Sequence, residues 1–248
     1  MNILASNEVW KEAGKEFVFD HIRVILRKGD HFYFAQQKDR YSPINLSKLN
    51  VQEVPKEHLS APLPRGLTPA PEPLPEHAYT KLPNLLSCGE SPLSTNFCAL
   101  LLQEAEVYEL LHRNPHPNIA QYYGCVVQGG KFRGICLKRY PTTLEQVVSA
   151  GAAFAKSAHF MQGIKDGVAH LHSLGLVHGD LNPSNIMVDC DTAIIIDFDS
   201  CRRNGDPVGL KGSTLGWGTS TDYACPESDL RSLAMIERYI FGESFTLS

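Results

Sequence analysis

The chain has 248 residues, 43% of them hydrophobic, which is enough for the packed core of one large domain or of two small lobes. Its formal net charge of −4 offers no basic surface for nucleic acid, and no apolar run approaches the roughly 20 residues that span a bilayer. The seven cysteines form no CxxC pair, which argues against a disulfide framework and against a zinc site. We therefore expect an intracellular protein, cytoplasmic in the simplest case and nuclear in the alternative, that binds neither nucleic acid nor a membrane.

The N-terminal part of the chain predicts strands followed by a connector. Residues 17–37 hold two β-rich apolar runs around a turn at Gly29, so they predict a hairpin. Seven prolines lie between Pro55 and Pro75. They exclude a helix and predict an extended linker, or a strap across a surface.

A helix is predicted over residues 97–113, where strong helix formers run up to a pair of prolines. One face of this helix carries Leu100, Glu104, Val107 and Leu111. A glutamate that faces a core needs a cationic partner, because an unpaired buried carboxylate is costly. From the periodicity alone, a position of Glu104 at the edge of the apolar stripe, in contact with water, is an equally open alternative.

The remaining elements complete a mixed pattern. Residues 118–140 predict two strands joined by a Gly-Gly turn, and residues 153–174 predict a second helix with an apolar stripe. A polar loop then leads to a hairpin made of residues 186–188 and 193–196. Strands and helices do not alternate regularly along the chain, so the fold class is α+β.

The loop before this hairpin gathers polar side chains beside apolar runs. Because residues 188 and 193 flank the turn, Asn185 and Asp197 should lie side by side at its open end, with Asp180 a short loop away. Carboxylate and amide oxygens suit a hard cation such as Mg²⁺. Asp197 and Asn185 would hold the metal, and Asp180 would accept or orient the proton of an attacking hydroxyl. Each residue alone is more typical of turn capping, whereas the set favours the metal site.

The loop and the hairpin resemble the catalytic loop and the metal-binding segment of the protein kinase superfamily. The sequence HGDLNPSN matches the pattern HxDxxxxN with His178, Asp180 and Asn185. The sequence IIDFD matches the DFG segment with Asp197 and Phe198. The resemblance implies a two-lobed α+β fold, with a small β-rich lobe containing one helix and a mainly helical, C-terminally shortened large lobe. It also implies a protein kinase that uses ATP and Mg²⁺ and acts on serine or threonine of a protein substrate.

The resemblance extends upstream, and it is similar in particular to fungal kinase-like proteins with a proline-rich stretch before the lysine. The sequence LLQEAEVYELL resembles the αC helix, which makes Glu104 the ion-pair glutamate. Lys81 in AYTKLP is then the lysine that contacts the α and β phosphates and pairs with Glu104. Leu137 takes the gatekeeper position beside the adenine. The hinge that would bind the adenine consists of Lys138, Arg139 and Tyr140.

On this resemblance the chain divides into four parts. Residues 1–54 form a β-rich segment that belongs to the small lobe, and residues 55–77 form the proline-rich connector. Residues 78–137 complete the small lobe, and residues 138–248 form the shortened large lobe.

The chain departs from the family pattern at several positions. No GxGxxG precedes Lys81, Asn182 stands where such kinases usually have a lysine, and Asp199 replaces the glycine of DFG. The APE motif is displaced to CPE at residues 225–227, and the chain ends soon after Asp229, which matches the αF aspartate. Two alternatives follow: a catalytically impaired pseudokinase that binds nucleotide and partners, or a small-molecule phosphotransferase of the aminoglycoside or choline kinase type, whose loop is also similar. The αC-like segment favours a protein kinase.

A glycine, Gly179, stands where most regulated kinases of the family carry the arginine of HRD, which meets a phosphorylated activation segment. We therefore predict that phosphorylation of Ser213 or Thr214 is not needed for activity. Phosphatase-treated and mock-treated protein should show the same turnover, and loss of turnover after treatment would contradict this prediction.

Overall fold

The structure is a computed structural model of the chain. No described helix is long and apolar enough to cross a bilayer. The four-part division predicted from the sequence stays a prediction. The described residues are 1–13, 16–87, 96–151, 158–208, 217 and 222–241. The chain forms two compact units, of which the first comprises Met1–Leu63, Leu82–Leu100 and Gln128–Arg133, and the second Pro64–Lys81, Leu101–Val127 and Gly134–Ser248.

The first unit is built on an antiparallel sheet in the order β1-β2-β3-β4. The predicted hairpin is confirmed, with a two-residue turn at Gly29, whose φ of +59° suits glycine. Both faces of the sheet are covered by apolar side chains, so the middle of β2 is buried without the alternation of a one-sided strand. The long first strand was not predicted from the sequence. The strands are β1 (Asn2–Ala13), β2 (Glu16–Lys28), β3 (His31–Gln37) and β4 (Gln52–Glu53).

The proline-rich stretch is mostly extended, as predicted, although it is not free of helical turns. A single 3-10 turn covers Lys56–His58. The short strand β5 (Ala61–Pro62) pairs with the beginning of β8 (Lys131–Lys138), where Ala61 lies opposite Phe132. Pro at a sheet edge is tolerated because its missing N–H faces away from the ladder. Further 3-10 turns lie at Leu46–Lys48, Leu85–Ser87 and Pro183–Asn185.

The sheet that carries the predicted lysine has β8 as its central strand. β6 (Ala78–Lys81) pairs with β8 in antiparallel register, with Lys81 opposite Ile135 and Tyr79 opposite Leu137. β7 (Tyr122–Gln128) pairs with β8 as well, which confirms the predicted strands and their Gly-Gly turn.

The helix α1 (Phe97–Arg113) has the predicted bounds. Glu104 is only 1% exposed, so it lies inside the apolar face and not at its edge. Glu109 is also buried, at 4% exposure, which the periodicity of the sequence did not indicate. This helix therefore holds two carboxylates away from water, and each needs its own partners.

The rest of the second unit contains the remaining helices around small sheets. The predicted hairpin of β11 and β12 is confirmed, because Val188 lies opposite Ala193. The helix α3 buries the predicted stripe, and its described part begins at Ala158. Residues 153–157 of the predicted helix lie outside the described residues. A capping box between Thr143 and Gln146 starts α2, which was not predicted. The elements are β9 (Thr142–Thr143), α2 (Leu144–Ser149), α3 (Ala158–Ser173), β10 (Leu176–Val177), β11 (Ile186–Asp189), β12 (Thr192–Ile195), β13 (Arg202–Arg203) and α4 (Pro226–Phe241).

We predict that replacement of Gly124 by alanine destabilises the second unit strongly. Its φ is +128°, and a Cβ there would lie 2.6 Å from the backbone nitrogen of Ala70. The strain and the clash together should cost about 3 kcal/mol or more. Gly129→Ala is the control, because its φ is +58° but no atom lies within 4 Å of the added Cβ. It should cost only about 1–2 kcal/mol in urea unfolding. Equal losses for the two variants would contradict the close backbone approach.

Candidate active site

An ion-pair cluster joins three of the predicted site residues. Lys81 ends β6, Glu104 lies in the middle of α1, and Asp197 follows β12. The Nζ atom of Lys81 lies 2.7 Å from Oε2 of Glu104 and 2.7 Å from Oδ1 of Asp197. The sequence argument that a buried Glu104 requires a cation is thus met by Lys81.

Burial and charge act in opposite directions within this cluster. Burial raises the pKa of Glu104 to about 7, and the positive charge of Lys81 only partly offsets it. Burial also lowers the pKa of the Lys81 ammonium, but the charges of Glu104 and Asp197 outweigh that effect and hold this pKa above its usual value. The lysine therefore stays charged at neutral pH, and its charge opposes the effect of burial on the pKa of Glu104.

The backbone at Asp197 is strained. Its φ is +64°, in the left-handed region that residues with a Cβ seldom adopt. Such strain costs about 1–3 kcal/mol and persists only where surrounding contacts impose it. Here the next residue supplies those contacts: the N–H of Phe198 donates to Oε1 of Glu104 at 3.2 Å, and its buried ring meets that of Tyr108 edge to face at 5.1 Å. These contacts hold the turn that places the Asp197 carboxylate against Lys81.

The loop that carries Asp180 is held by its own side chains. The amide of Asn185 donates to the carbonyl of Asp180 at 2.9 Å and to its Oδ2 at 3.3 Å. The amide of Asn182 donates to the same carbonyl at 3.1 Å and to Oδ1 at 3.3 Å. Each oxygen of this carboxylate therefore accepts a hydrogen bond from one of the two amide groups. Asn182, which stands where a lysine was expected, fixes Asp180 without adding a charge.

His178 connects this loop to the hairpin. Its Nε2 lies 3.0 Å from the carbonyl oxygen of Ile196, which can only accept, so the proton is on Nε2. Its Nδ1 then accepts from the N–H of Asp180 at 3.3 Å. The N–H of Ile196 donates to the carbonyl of Asn185 at 3.0 Å. This bond places Asn185 opposite Ile196, the residue before Asp197, at the open end of the hairpin.

A buried aspartate of α4 anchors the start of the loop. Asp229 is 1% exposed and accepts from the backbone N–H groups of His178 at 2.8 Å and of Gly179 at 3.0 Å. His172 of α3 also contacts its Oδ2 at 2.9 Å, a partner that sequence reasoning missed because nothing local marks it. Gly179 has a φ of +77°, and a Cβ there would lie 2.9 Å from the carbonyl oxygen of Ser200. The backbone thus requires glycine where an arginine was expected.

A cavity of about 340 Å³ adjoins the ion-pair cluster. All four residues predicted to surround an adenine line it, although the side chain of Lys138 is directed to Asp189 at 2.7 Å. Sequence reasoning missed Tyr79, which lines the same cavity beneath the guanidinium of Arg139 at 5.7 Å. Its position two residues before Lys81 on a strand, and hence on the same face, was the available signal. The lining residues are Tyr79, Lys81, Tyr108, Ala120, Leu137, Lys138, Arg139, Tyr140, Met187, Ile196 and Asp197.

The donor set at the hairpin fits Mg²⁺ by its chemistry. Asp197 supplies carboxylate oxygens, and Asn185 supplies an amide oxygen whose nitrogen is already engaged with Asp180. Within the part of the chain that the structure describes, no three His, Cys, Asp or Glu side chains form a metal-binding group. Mg²⁺ commonly binds through one or two protein oxygens together with phosphate oxygens, and it seldom takes all its ligands from the protein. The two side chains Asp197 and Asn185 therefore suffice for such a site.

Comparison with known proteins identifies the family. A family model described as protein kinase domain matches residues 91–228, and the chain belongs to the protein kinase family. The serine/threonine-protein kinase/endoribonuclease IRE1 of Hypocrea jecorina is 34% identical over 132 residues, which cover 48% of this chain and 10% of that protein. The mitogen-activated protein kinase kinase kinase bck1 of Aspergillus fumigatus is 31% identical over 125 residues, which cover 45% of this chain and 7% of that protein. The chain thus spans about a tenth or less of the length of these two relatives.

A solved structure supports the fold. The yeast RNA Pol II CTD kinase CTDK-1 complex contains a chain that matches with a TM-score of 0.50 and 20% identity, over 59% of this chain and 53% of that one. The predicted α+β kinase-like fold is confirmed by this similarity and by the family. Ser213 and Thr214, at which phosphorylation was predicted to be dispensable, lie outside the described residues.

We predict that Lys81→Met destabilises the protein in a pH-dependent way. Without the lysine, the pKa of Glu104 should rise above its present value of about 7. The folded variant then keeps a proton that the unfolded chain releases near its ordinary pKa, so its stability falls as pH rises between these two values. Relative to the wild-type protein, the loss should grow by about 1–3 kcal/mol between about pH 6 and about pH 8.5 in urea unfolding.

The matched control for this experiment is the double variant Lys81→Met/Glu104→Gln. It lacks the titrating carboxyl but loses the same contact to Asp197. The single variant should lose stability relative to the double variant as pH rises. A difference between them that does not change with pH would refute the assignment of the buried carboxyl.

Proposed function

We propose that this chain is a protein kinase that transfers the γ-phosphoryl group of ATP to a serine or threonine hydroxyl of a protein substrate. The observation that carries the proposal is the Lys81–Glu104–Asp197 cluster, at 2.7 Å for both of its ion pairs, beside a cavity and next to the Asp180 loop. Phosphoryl transfer depends on positioning and on charge stabilisation, and the cluster and the loop are rigid, charged groups of the kind it needs.

Lys81 would bind the α and β phosphates. An ammonium held by Glu104 and Asp197 is already desolvated and oriented, so it loses little freedom when phosphate oxygens arrive. Glu104 acts through Lys81 and is a positioning residue. Glu104 is buried, and its cationic partner in the cluster is Lys81. A change in the position of this carboxylate would therefore change the position of the lysine ammonium.

Mg²⁺ would be held by Asp197 and Asn185, and when bound it supplies charge neutralisation to the phosphates. Contacts within the chain orient both of these side chains without the ion. The left-handed backbone at Asp197 aims its carboxylate, and the bond from Asn185 to Asp180 orients the amide.

Asp180 would accept the proton of the attacking hydroxyl. The hydroxyl oxygen forms a bond to the γ-phosphorus while the bond from that phosphorus to the oxygen bridging to the β-phosphate breaks, and ADP leaves. The amides of Asn182 and Asn185 hold the carboxylate in one orientation, which is the positioning that a general base requires.

The adenine would occupy the cavity beside Leu137, with the backbone of Lys138, Arg139 and Tyr140 as the polar edge. A volume of about 340 Å³ falls within the range of ordinary small-ligand sites, roughly 300–1,000 Å³. The relatives described above carry the name serine/threonine-protein kinase or belong to a protein kinase cascade by name, which supports a protein acceptor. A cytoplasmic location is part of the proposal.

We predict that Asp180→Asn lowers phosphoryl transfer by about 10²–10⁴-fold while ATP affinity changes by less than about twofold, since the base is lost but no nucleotide contact is. Asp197→Asn should remove the Mg²⁺-dependent part of ATP binding. Asp191→Asn is the control, because it changes the same side chain at the closed end of the same hairpin, where it is exposed. Transfer is measured with γ-labelled ATP and a mixed protein acceptor, and binding by the thermal shift with and without Mg²⁺.

Other outcomes would replace the proposal with a different function. ATP binding that needs no Mg²⁺ and yields no transfer indicates a nucleotide-binding pseudokinase, the reading that Asn182 and Asp199 favour. Transfer to aminoglycosides or choline but not to proteins indicates a small-molecule phosphotransferase. Absence of any nucleotide shift in wild-type protein overturns all three functions.

A further inference from the structure

Residues 64–70, which we name the strap, lie within the proline-rich stretch and pass along the side of α1. The backbone N–H of Thr68 donates to Oε1 of Glu109 at 2.6 Å, and the Thr68 hydroxyl donates to Oε2 at 3.0 Å. Thr68 is exposed, whereas Glu109 is 4% exposed. One strap residue therefore bonds both oxygens of a buried carboxylate on the helix that carries Glu104.

The strap is itself fixed to β7. The N–H of Cys125 donates to the carbonyl of Thr68 at 2.7 Å, and the N–H of Ala70 donates to the carbonyl of Cys125 at 2.8 Å. This approach is possible because Gly124 has no side chain on that side. The strap is thus a rigid support and not a loose linker at this point.

The same carboxylate connects the strap to the candidate active site. The hydroxyl of Tyr122 donates to Oε1 of Glu109 at 3.0 Å, and the ring of Tyr122 stacks on Tyr108 at 5.5 Å. Tyr108 in turn contacts Phe198, whose N–H donates to Glu104. A continuous set of contacts therefore leads from the strap to Glu104.

On the side where the strap lies, α1 also borders an open cavity, and Glu109 is among the residues that line it. A cavity of about 480 Å³ is lined by the exposed side of α1, by strap residues 64–67 and by Arg202, Arg203 and Asp206. The cavity separates this side of α1 from residues 202–206, so these residues do not pack against the helix there. The position of α1 therefore depends on its contacts elsewhere. Among these contacts, the two hydrogen bonds from Thr68 join the strap to the Glu109 carboxylate in the C-terminal half of α1, which Tyr122 and Arg113 also contact.

We propose that the strap is a clamp, in which Thr68 and Glu109 are positioning residues that hold α1 where Glu104 reaches Lys81. Glu104 and Glu109 are five residues apart on one rigid helix, about 7.5 Å along its axis. Rotation or sliding of α1 would move Glu104 away from Lys81. The same movement would break the hydrogen bonds between Thr68 and Glu109, so these bonds oppose it. The catalytic consequence of the clamp rests on the proposed function, whereas its effect on α1 does not.

The catalytic test separates a clamp from a merely structural contact. Thr68→Val should lower kcat about tenfold, and Thr68→Ser, which keeps the hydroxyl, should stay within about twofold of wild type. In a Glu104→Gln background, Thr68→Val should lower kcat by less than about twofold, because the group that the clamp positions is already gone. Thr192→Val, at the half-buried first residue of β12 and remote from the strap, is the control and should leave kcat unchanged. An equal loss in both backgrounds, or no loss in either, overturns the clamp.

Amide hydrogen exchange without nucleotide provides the second readout. Thr68→Val should raise exchange in residues 102–113 of α1 by about tenfold and leave α3 unchanged. If wild-type protein transfers no phosphate but this change in exchange is seen, the proposed function fails and the clamp stands. If phosphate transfer occurs and exchange in α1 does not change, the clamp fails and the proposed function stands.

Discussion

The buried ion pair between Lys81 and Glu104 is the constraint on which the candidate site depends. A carboxylate that is 1% exposed would be strongly destabilising without a cation, so α1 must present Glu104 toward the end of β6. The same carboxylate accepts the N–H of Phe198, and this bond helps to hold the left-handed turn at Asp197. One buried charge thus determines the position of a helix, of a lysine and of the aspartate that would face a metal.

The loop around Asp180 is positioned by a different buried acid, Asp229 of α4. By accepting the N–H groups of His178 and Gly179, it leaves the chain in a conformation at residue 179 that only glycine accommodates without strain. Glycine in place of the arginine of the HRD pattern therefore agrees with the backbone conformation at residue 179. Glu104 precedes this loop in the sequence, and Asp229 follows it. The hairpin between them brings Asn185 and Asp197 together.

The elements that sequence reasoning found are those whose signal is local. The helix over 97–113 and the hairpin around residues 188 and 193 are marked by periodicity and by turn residues, and the structure has both. The open question about Glu104 could not be decided from periodicity, because the cation that permits its burial lies 23 residues away. Glu109 was missed for the same reason, since its partner Thr68 is 41 residues away. Local patterns predict which residues form a helix, whereas the burial of a charge depends on partners that only the tertiary fold supplies.

The two buried glutamates of α1 form a pair of restraints on one helix. An apolar side chain at either position would avoid the desolvation of a carboxylate, but it would pack in several orientations of the helix. Hydrogen bonds from Thr68 and Tyr122 to Glu109, and from Lys81 to Glu104, are satisfied in one orientation only. Polar groups of this kind restrict a helix to one position at some expense of stability. The strap contributes to this restriction through Pro64 and Pro69, because each proline fixes one backbone dihedral angle before the segment docks.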